Sequence, residues 1–157
     1  LLGLGALALV AQLSAEDSSS WGRAADNRIV AQDLTNTLMR DNPDLVVIGL
    51  HATAPGAKGP TMIASNLDRI GKVDDDDDIA VATERKTILS PNAKDPHKFE
   101  VQVPMWDASG KVIGACGFVF KYNAGDDEIE LHRRALTLRA WLQTRITTLD
   151  ALFKVKS

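Results

Sequence analysis

Cysteine is almost absent from this chain, and that scarcity settles several questions. With Cys116 alone among 157 residues, no internal disulfide can form, and neither a thiolate metal cluster nor a Cys-x-x-Cys redox pair is available. A basic excess is missing too. The 18 Lys and Arg face 21 Asp and Glu, a formal net charge of -3, whereas a duplex-binding domain ordinarily gathers surplus cations to neutralise phosphates. Nucleic acid is therefore not an expected partner. The sequence also lacks a G-x-S-x-G elbow, a P-loop, a G-x-G-x-x-G fingerprint, an HExxH pair and a CxxCH motif, so no established catalytic constellation is written in it. No cofactor is expected, and a metal site would have to be assembled from distant residues with no local sign of it.

What is present fits one ordinary core. A hydrophobic fraction of 45% and a charged fraction of 25% are values of a globular chain, and the length matches a single domain. The one long apolar run is LLGLGALALVAQLSA at residues 1–15. It has the length of a signal-peptide h-region and stops at the small residue Ala15 before Glu16, Asp17 and three serines. The expected organisation is a partial signal peptide over 1–15 and one domain over 16–157, with a periplasmic or secreted mature protein that needs no membrane once the signal is cleaved. Leu13 is larger than an A-x-A cleavage site favours, which keeps an uncleaved anchor as the alternative.

Hydrophobic periodicity places the elements. Val30, Leu34 and Leu38 recur at four-residue spacing and predict a long helix from Trp21 to Arg40, ended by Asn42-Pro43. LVVIGLHAT and TMIASN read as strands separated by the turn residues APGAKGP. The run Asp74 to Asp78 opens a short helix to about Glu84, its charges facing the positive end of the helix dipole. Calcium is the sharper reading of that run, but an EF-hand loop alternates its ligands around a central glycine, and five adjacent aspartates do neither. In KFEVQVPMW, apolar and polar residues alternate; Asp107-Ala108-Ser109-Gly110 makes a turn, and VIGACGFVFKY returns as an antiparallel partner. Gly114 and Gly117 inside that strand suggest a bulge or the approach of another backbone. An amphipathic helix is expected from Asp126 to Phe153.

Two stretches, MIASNLDRIGK and VQVPMWDASGKVIGACGFVFKY, resemble the single Cache version of a PAS-like sensor domain over roughly residues 21–123. The resemblance implies an α+β fold: an antiparallel sheet with a long N-terminal helix on one face, a small-molecule pocket on the other, and an extracytoplasmic location. Members of that family usually sit between membrane helices and drive an output module. This chain departs from the plan by ending in an amphipathic helix, so a secreted binder is the expectation.

The candidate ligand contacts are Arg69, Asn66, Ser65, His51, Trp106 and Tyr122. Arg69 can hold a carboxylate through two parallel hydrogen bonds, with Asn66 and Ser65 as neutral neighbours; its alternative is an ion pair with the aspartate run. His51 shares a strand face with Leu45, Val47 and Gly49 if β alternation is regular; a satisfied core or rim histidine is the first reading, a pocket residue the second, and a metal or haem ligand the least favoured. Trp106 and Tyr122 flank the hairpin as pocket walls or as core plugs. Cys116 sits mid-strand, where a thiol behaves as a small hydrophobe, so catalysis with His51 is not expected. The expected function is recognition of a small polar metabolite, a carboxylate or amino acid, without catalysis. A protein–protein or homodimer module with a vestigial pocket is the alternative.

Overall fold

The computed structural model describes residues 20–156; the apolar run expected to be a signal lies outside them. Five strands form one antiparallel sheet in the order β2-β1-β5-β4-β3: β1 Leu45–Ala52, β2 Thr61–Ser65, β3 Ile88–Pro91, β4 Lys98–Trp106 and β5 Val112–Lys121. The four α-helices among the described residues are α1 Val30–Asp41, α2 Asp76–Glu84, α3 Glu128–Gln143 and α4 Leu149–Leu152. No helix of the described residues is long and apolar enough to cross a membrane.

Alternation along β4 and β5 builds the core. Phe99, Val101, Val103 and Met105 of β4 and Cys116, Phe118 and Phe120 of β5 are fully buried with Ala31 and Leu38 of α1 and Ala135, Leu138 and Leu142 of α3. The opposite face carries α2. Burying a Phe side chain contributes roughly 1.5–3 kcal/mol, so the three sheet phenylalanines anchor the α1/α3 side.

The predicted helix from Trp21 is shorter than expected. Residues 20–29 are a strap instead: Gly22 exchanges backbone hydrogen bonds with Ile70, Ala24–Asp26 makes one 3-10 turn, and Ile29 is still extended at the N-cap of α1. Asn27 explains the delay, because its side-chain amide is spent on the Ile63 carbonyl, 2.9 Å away, and on Gln32. The C-terminal helix is likewise two helices. Between them Ile146 is 1% exposed and its carbonyl accepts from Ala108, while Thr148 caps α4 through Ala151. The β-branched run Ile146-Thr147-Thr148 favours that break.

Candidate functional site

The face of the sheet turned toward α2 has a hole in its middle, and register makes it. Gly49 of β1 lies directly opposite Gly117 of β5, with Val47 opposite Val119 beside them. Two adjacent positions without side chains leave a floor of bare backbone under a cavity of about 530 Å3. Met62, Leu67 and Arg69 border it on the β2 side, and Lys98, Glu100 and Gln102 on the β4 side.

His51 forms the end wall. Strict alternation would put Leu45 on its face, but a register irregularity between Leu45 and Val47 turns Leu45 into the core and leaves Val47, Gly49 and His51 on the cavity side. The His51 Nδ1 stands 2.7 Å from Asp74 Oδ1 and 3.6 Å from Asp78 Oδ2, and all three side chains are less than a tenth exposed. With Nδ1 directed at Asp74, Nε2 reaches over the floor: a Cβ on Gly49 would stand 2.9 Å from it. Nε2 thus faces the cavity, and it is a hydrogen-bond donor there whenever the ring is protonated.

The acidic partners are placed by backbone rather than by charge. Met62 donates to the Lys72 carbonyl and Asp74 to that of Pro60, so residues 72–74 run beside the start of β2. Asp75 is the N-cap of α2 and accepts from the Asp78 amide, which brings Asp78 round one turn onto His51. The aspartate run is therefore only partly the solvated helix start expected from sequence. Asp75, Asp76 and Asp77 face water, whereas Asp74 and Asp78 are buried.

This arrangement shifts two titrations upward. Burial opposes charge on His51, but the hydrogen bond that Nδ1–H donates to Asp74 and the anionic field of Asp78, Asp74 and Asp75 outweigh it, so its pKa rises above 6.5. Burial pushes the Asp78 carboxyl up from 3.8 to about 6, against the pull of His51 and helped by Asp75 and Asp74. A group whose folded pKa is raised binds more protons in the native state, so its contribution to stability is lost as pH increases. For Asp78 that loss falls between about pH 4 and 6; for His51 it comes above 6.5. Asp78→Asn, which fixes the neutral form, should therefore gain on the wild type in urea-unfolding midpoint as pH is raised from 4 to 7. A constant difference across that range would show that Asp78 does not titrate against the fold.

The sequence-nominated residues divide three ways. Arg69 and His51 line the cavity. Arg69 sits on the turn after β2, held by the Gly22–Ile70 bridge and by Asp68, which accepts from Ala24. Among the described residues it forms no ion pair with the aspartates, and it is Lys72 that meets Asp75, at 3.8 Å. Ser65 and Asn66 are occupied in holding the sheet together. The Ser65 hydroxyl donates to the Ile48 carbonyl while its backbone pairs with the buried Gln32 amide; Asn66 accepts from Ile48 and donates to Val46, extending the ladder past the end of β2. Trp106 and Tyr122 are not in the cavity. A register shift after Met105 turns Trp106 toward α3, where Arg139 stacks on it at 4.1 Å, and Tyr122 packs on Phe99 and donates to Glu128 at the start of α3.

Sequence reasoning missed Gly49, Asp74, Asp78, Glu100 and Gln102 as site residues. Gln102 donates to Glu100 at 3.1 Å, and its own Oε1 is buried with no hydrogen-bond partner, an acceptor that asks for a donor. Cys116 points the other way, into the α1/α3 core, where burial lifts its thiol to about 12. It is protonated at neutral pH and lies across the sheet from His51.

No known family profile matches the sequence, and no curated protein matches it either. Solved structures do. A protein described as a GAF sensor from Burkholderia vietnamiensis superimposes with a TM-score of 0.52 at 14% identity, covering 82% of each chain. The C-terminal domain of the E. coli transcriptional regulator KdgR gives 0.47 at 14% identity, covering 76% of this chain and 97% of that one. The fold is thus GAF-like within the broad PAS/GAF type, and the Cache assignment is corrected: the Burkholderia structure that superimposes is described as a GAF sensor, and the long N-terminal helix of the Cache plan is a strap over residues 20–29 followed by the shorter α1. The hairpin and its Asp-x-x-Gly turn are local features of an antiparallel sheet and do not discriminate between such families.

Proposed function

We propose that the domain binds a small zwitterionic or carboxylate metabolite in the cavity between α2 and the sheet, as a regulatory sensor and without transforming it. The observation that carries this reading is the paired-glycine floor with unlike ends. At the β1/β2 end stand the Arg69 guanidinium and the His51 Nε2 donor; at the β4 end stand the Glu100 carboxylate and the unpartnered Gln102 Oε1. An anionic group suits the first end through charge-assisted hydrogen bonds, and an ammonium or amide N–H suits the second. The volume falls within the range of small-molecule sites, roughly 300–1,000 Å3. The GAF-like fold supports a sensor role, since the Burkholderia protein is itself described as a sensor.

Binding without chemistry is the preferred reading because the chain's cysteine, Cys116, is buried as a thiol on the opposite face of the sheet. A thermal-shift screen of amino acids and small carboxylates tests the reading, since a ligand at 100 times its Kd adds about 2.7 kcal/mol of stability. Stabilisation by one class is the expected result. A flat screen would favour the interaction module. The extracytoplasmic location is proposed on residues 1–15 alone; an N-terminus near Glu16 in a soluble extracytoplasmic fraction is the expected finding, and residues 1–15 retained in a membrane pellet would reverse it.

A further inference from the structure

The trio His51, Asp74 and Asp78 is more than a wall of the cavity, and its geometry points elsewhere. One ligand atom from each, the imidazole Nδ1 and two carboxylate oxygens, lies within 4.8 Å of the others, and all three residues are buried. We propose that this trio is a binding site for one divalent transition ion of the zinc or cobalt type, held by His51 Nδ1 and one oxygen each of Asp74 and Asp78.

Three observations carry the assignment. The first is distance. Bonds of about 2.0–2.2 Å in tetrahedral geometry separate neighbouring ligand atoms by roughly 3.4 Å. The Nδ1 to Asp78 separation of 3.6 Å already meets that value, and the Nδ1 to Asp74 separation of 2.7 Å opens by roughly 0.7 Å to reach it. The second is charge. Two carboxylates are buried against one imidazole. Burying a carboxylate is costly without a compensating charge. The Asp78 side chain, more than nine-tenths buried, is answered by the Asp75 backbone N–H and has the His51 Nδ1 3.6 Å away, beyond hydrogen-bond reach. An ion in place of the Nδ1 proton answers both carboxylates.

The third is access. Asp78 lines the larger cavity, Asp74 lines a second cavity of about 370 Å3 on the other side, and His51 lines both. The trio therefore stands at a partition with an entry path on each side and room for water to complete the coordination shell. One imidazole with two carboxylates suits zinc, cobalt or manganese better than calcium, which wants six to eight oxygens. With the ion on Nδ1, the proton of His51 stays on Nε2, so the site coexists with the donor aimed over Gly49.

Cobalt(II) is the probe. Added to the metal-free full chain, it should give a saturable visible absorption band that zinc abolishes and calcium at equal concentration does not. Asp78→Asn, nearly isosteric and at a helix N-terminus, should weaken cobalt binding by at least about tenfold. Asp76→Asn and Asp77→Asn, which change the exposed part of the same run, should leave it unchanged. Zinc should also raise the melting temperature of the wild type, a readout that needs no variant to fold. The proposal is overturned if cobalt and zinc produce no saturable response up to millimolar concentration, or if the exposed-aspartate variants weaken binding as much as Asp78→Asn does.

Discussion

Replacing Gly114 with alanine should destabilise the fold by about 3 kcal/mol or more, at the upper end of what overpacking costs. A Cβ at this position would stand 1.9 Å from the His51 carbonyl oxygen and 3.0 Å from its carbonyl carbon. The obstacle is backbone, so no rotamer change relieves it. β1 and β5 occupy the centre of the sheet order, and parting them at His51 disturbs both the core face and the cavity face. Denaturant unfolding checks the magnitude. The control is Gly117→Ala, whose new methyl would meet only the Gln102 side chain at 3.8 Å and the Glu100 side chain at 3.9 Å, both ordinary contacts. That variant should fold with stability close to wild type, yet bind ligand less well because the methyl rises from the cavity floor. Similar stability losses in the two variants would contradict this account of the strand glycines.

Arg69→Ala should weaken binding of the metabolite by about ten- to a hundredfold, the loss of charge-assisted hydrogen bonds worth roughly 1.5–3 kcal/mol. Stability should change much less. Arg69 is exposed at the cavity mouth and forms no ion pair among the described residues, so its removal unmakes no internal strut. Arg69→Lys restores the charge but not the planar fork, and clear impairment is expected to persist. Calorimetric titration of the three proteins with the best stabilising ligand measures this. Unchanged affinity with a lowered melting temperature would place Arg69 in the fold and leave His51, Glu100 and Gln102 as the grip.

How far the sequence can be read depends on whether a feature is local. The β4–β5 hairpin was legible because alternation in KFEVQVPM and the Asp107–Gly110 turn are complete within a short window, and the strand Thr61–Ser65 was legible for the same reason. β3 was missed: Ile88-Leu89-Ser90-Pro91 is a short edge strand ending in proline, with its outer side unpaired, and carries no period of its own. The start of α1 was misplaced because Asn27 makes its hydrogen bond to Ile63, 36 residues away, which no helical periodicity reveals. The site shows the same division. His51 and Arg69 could be nominated from their chemistry, but five identical aspartates have no pattern that says which two turn inward. Only the Pro60–Asp74 backbone bond and the Asp75 cap decide it. Gly49 became meaningful only when register set it opposite Gly117.

The central claim is that the glycine-floored cavity is where the ligand sits. It is tested most directly by following backbone amide resonances while amino acids and small carboxylates are titrated into labelled protein. The account predicts saturable shifts at Gly49, Gly117, His51 and Gln102, which surround the floor, with Trp106 and Tyr122 on the α3 side unmoved. Saturable shifts centred on Trp106, Tyr122 and α3, with Gly49 and Gly117 unchanged, would contradict it.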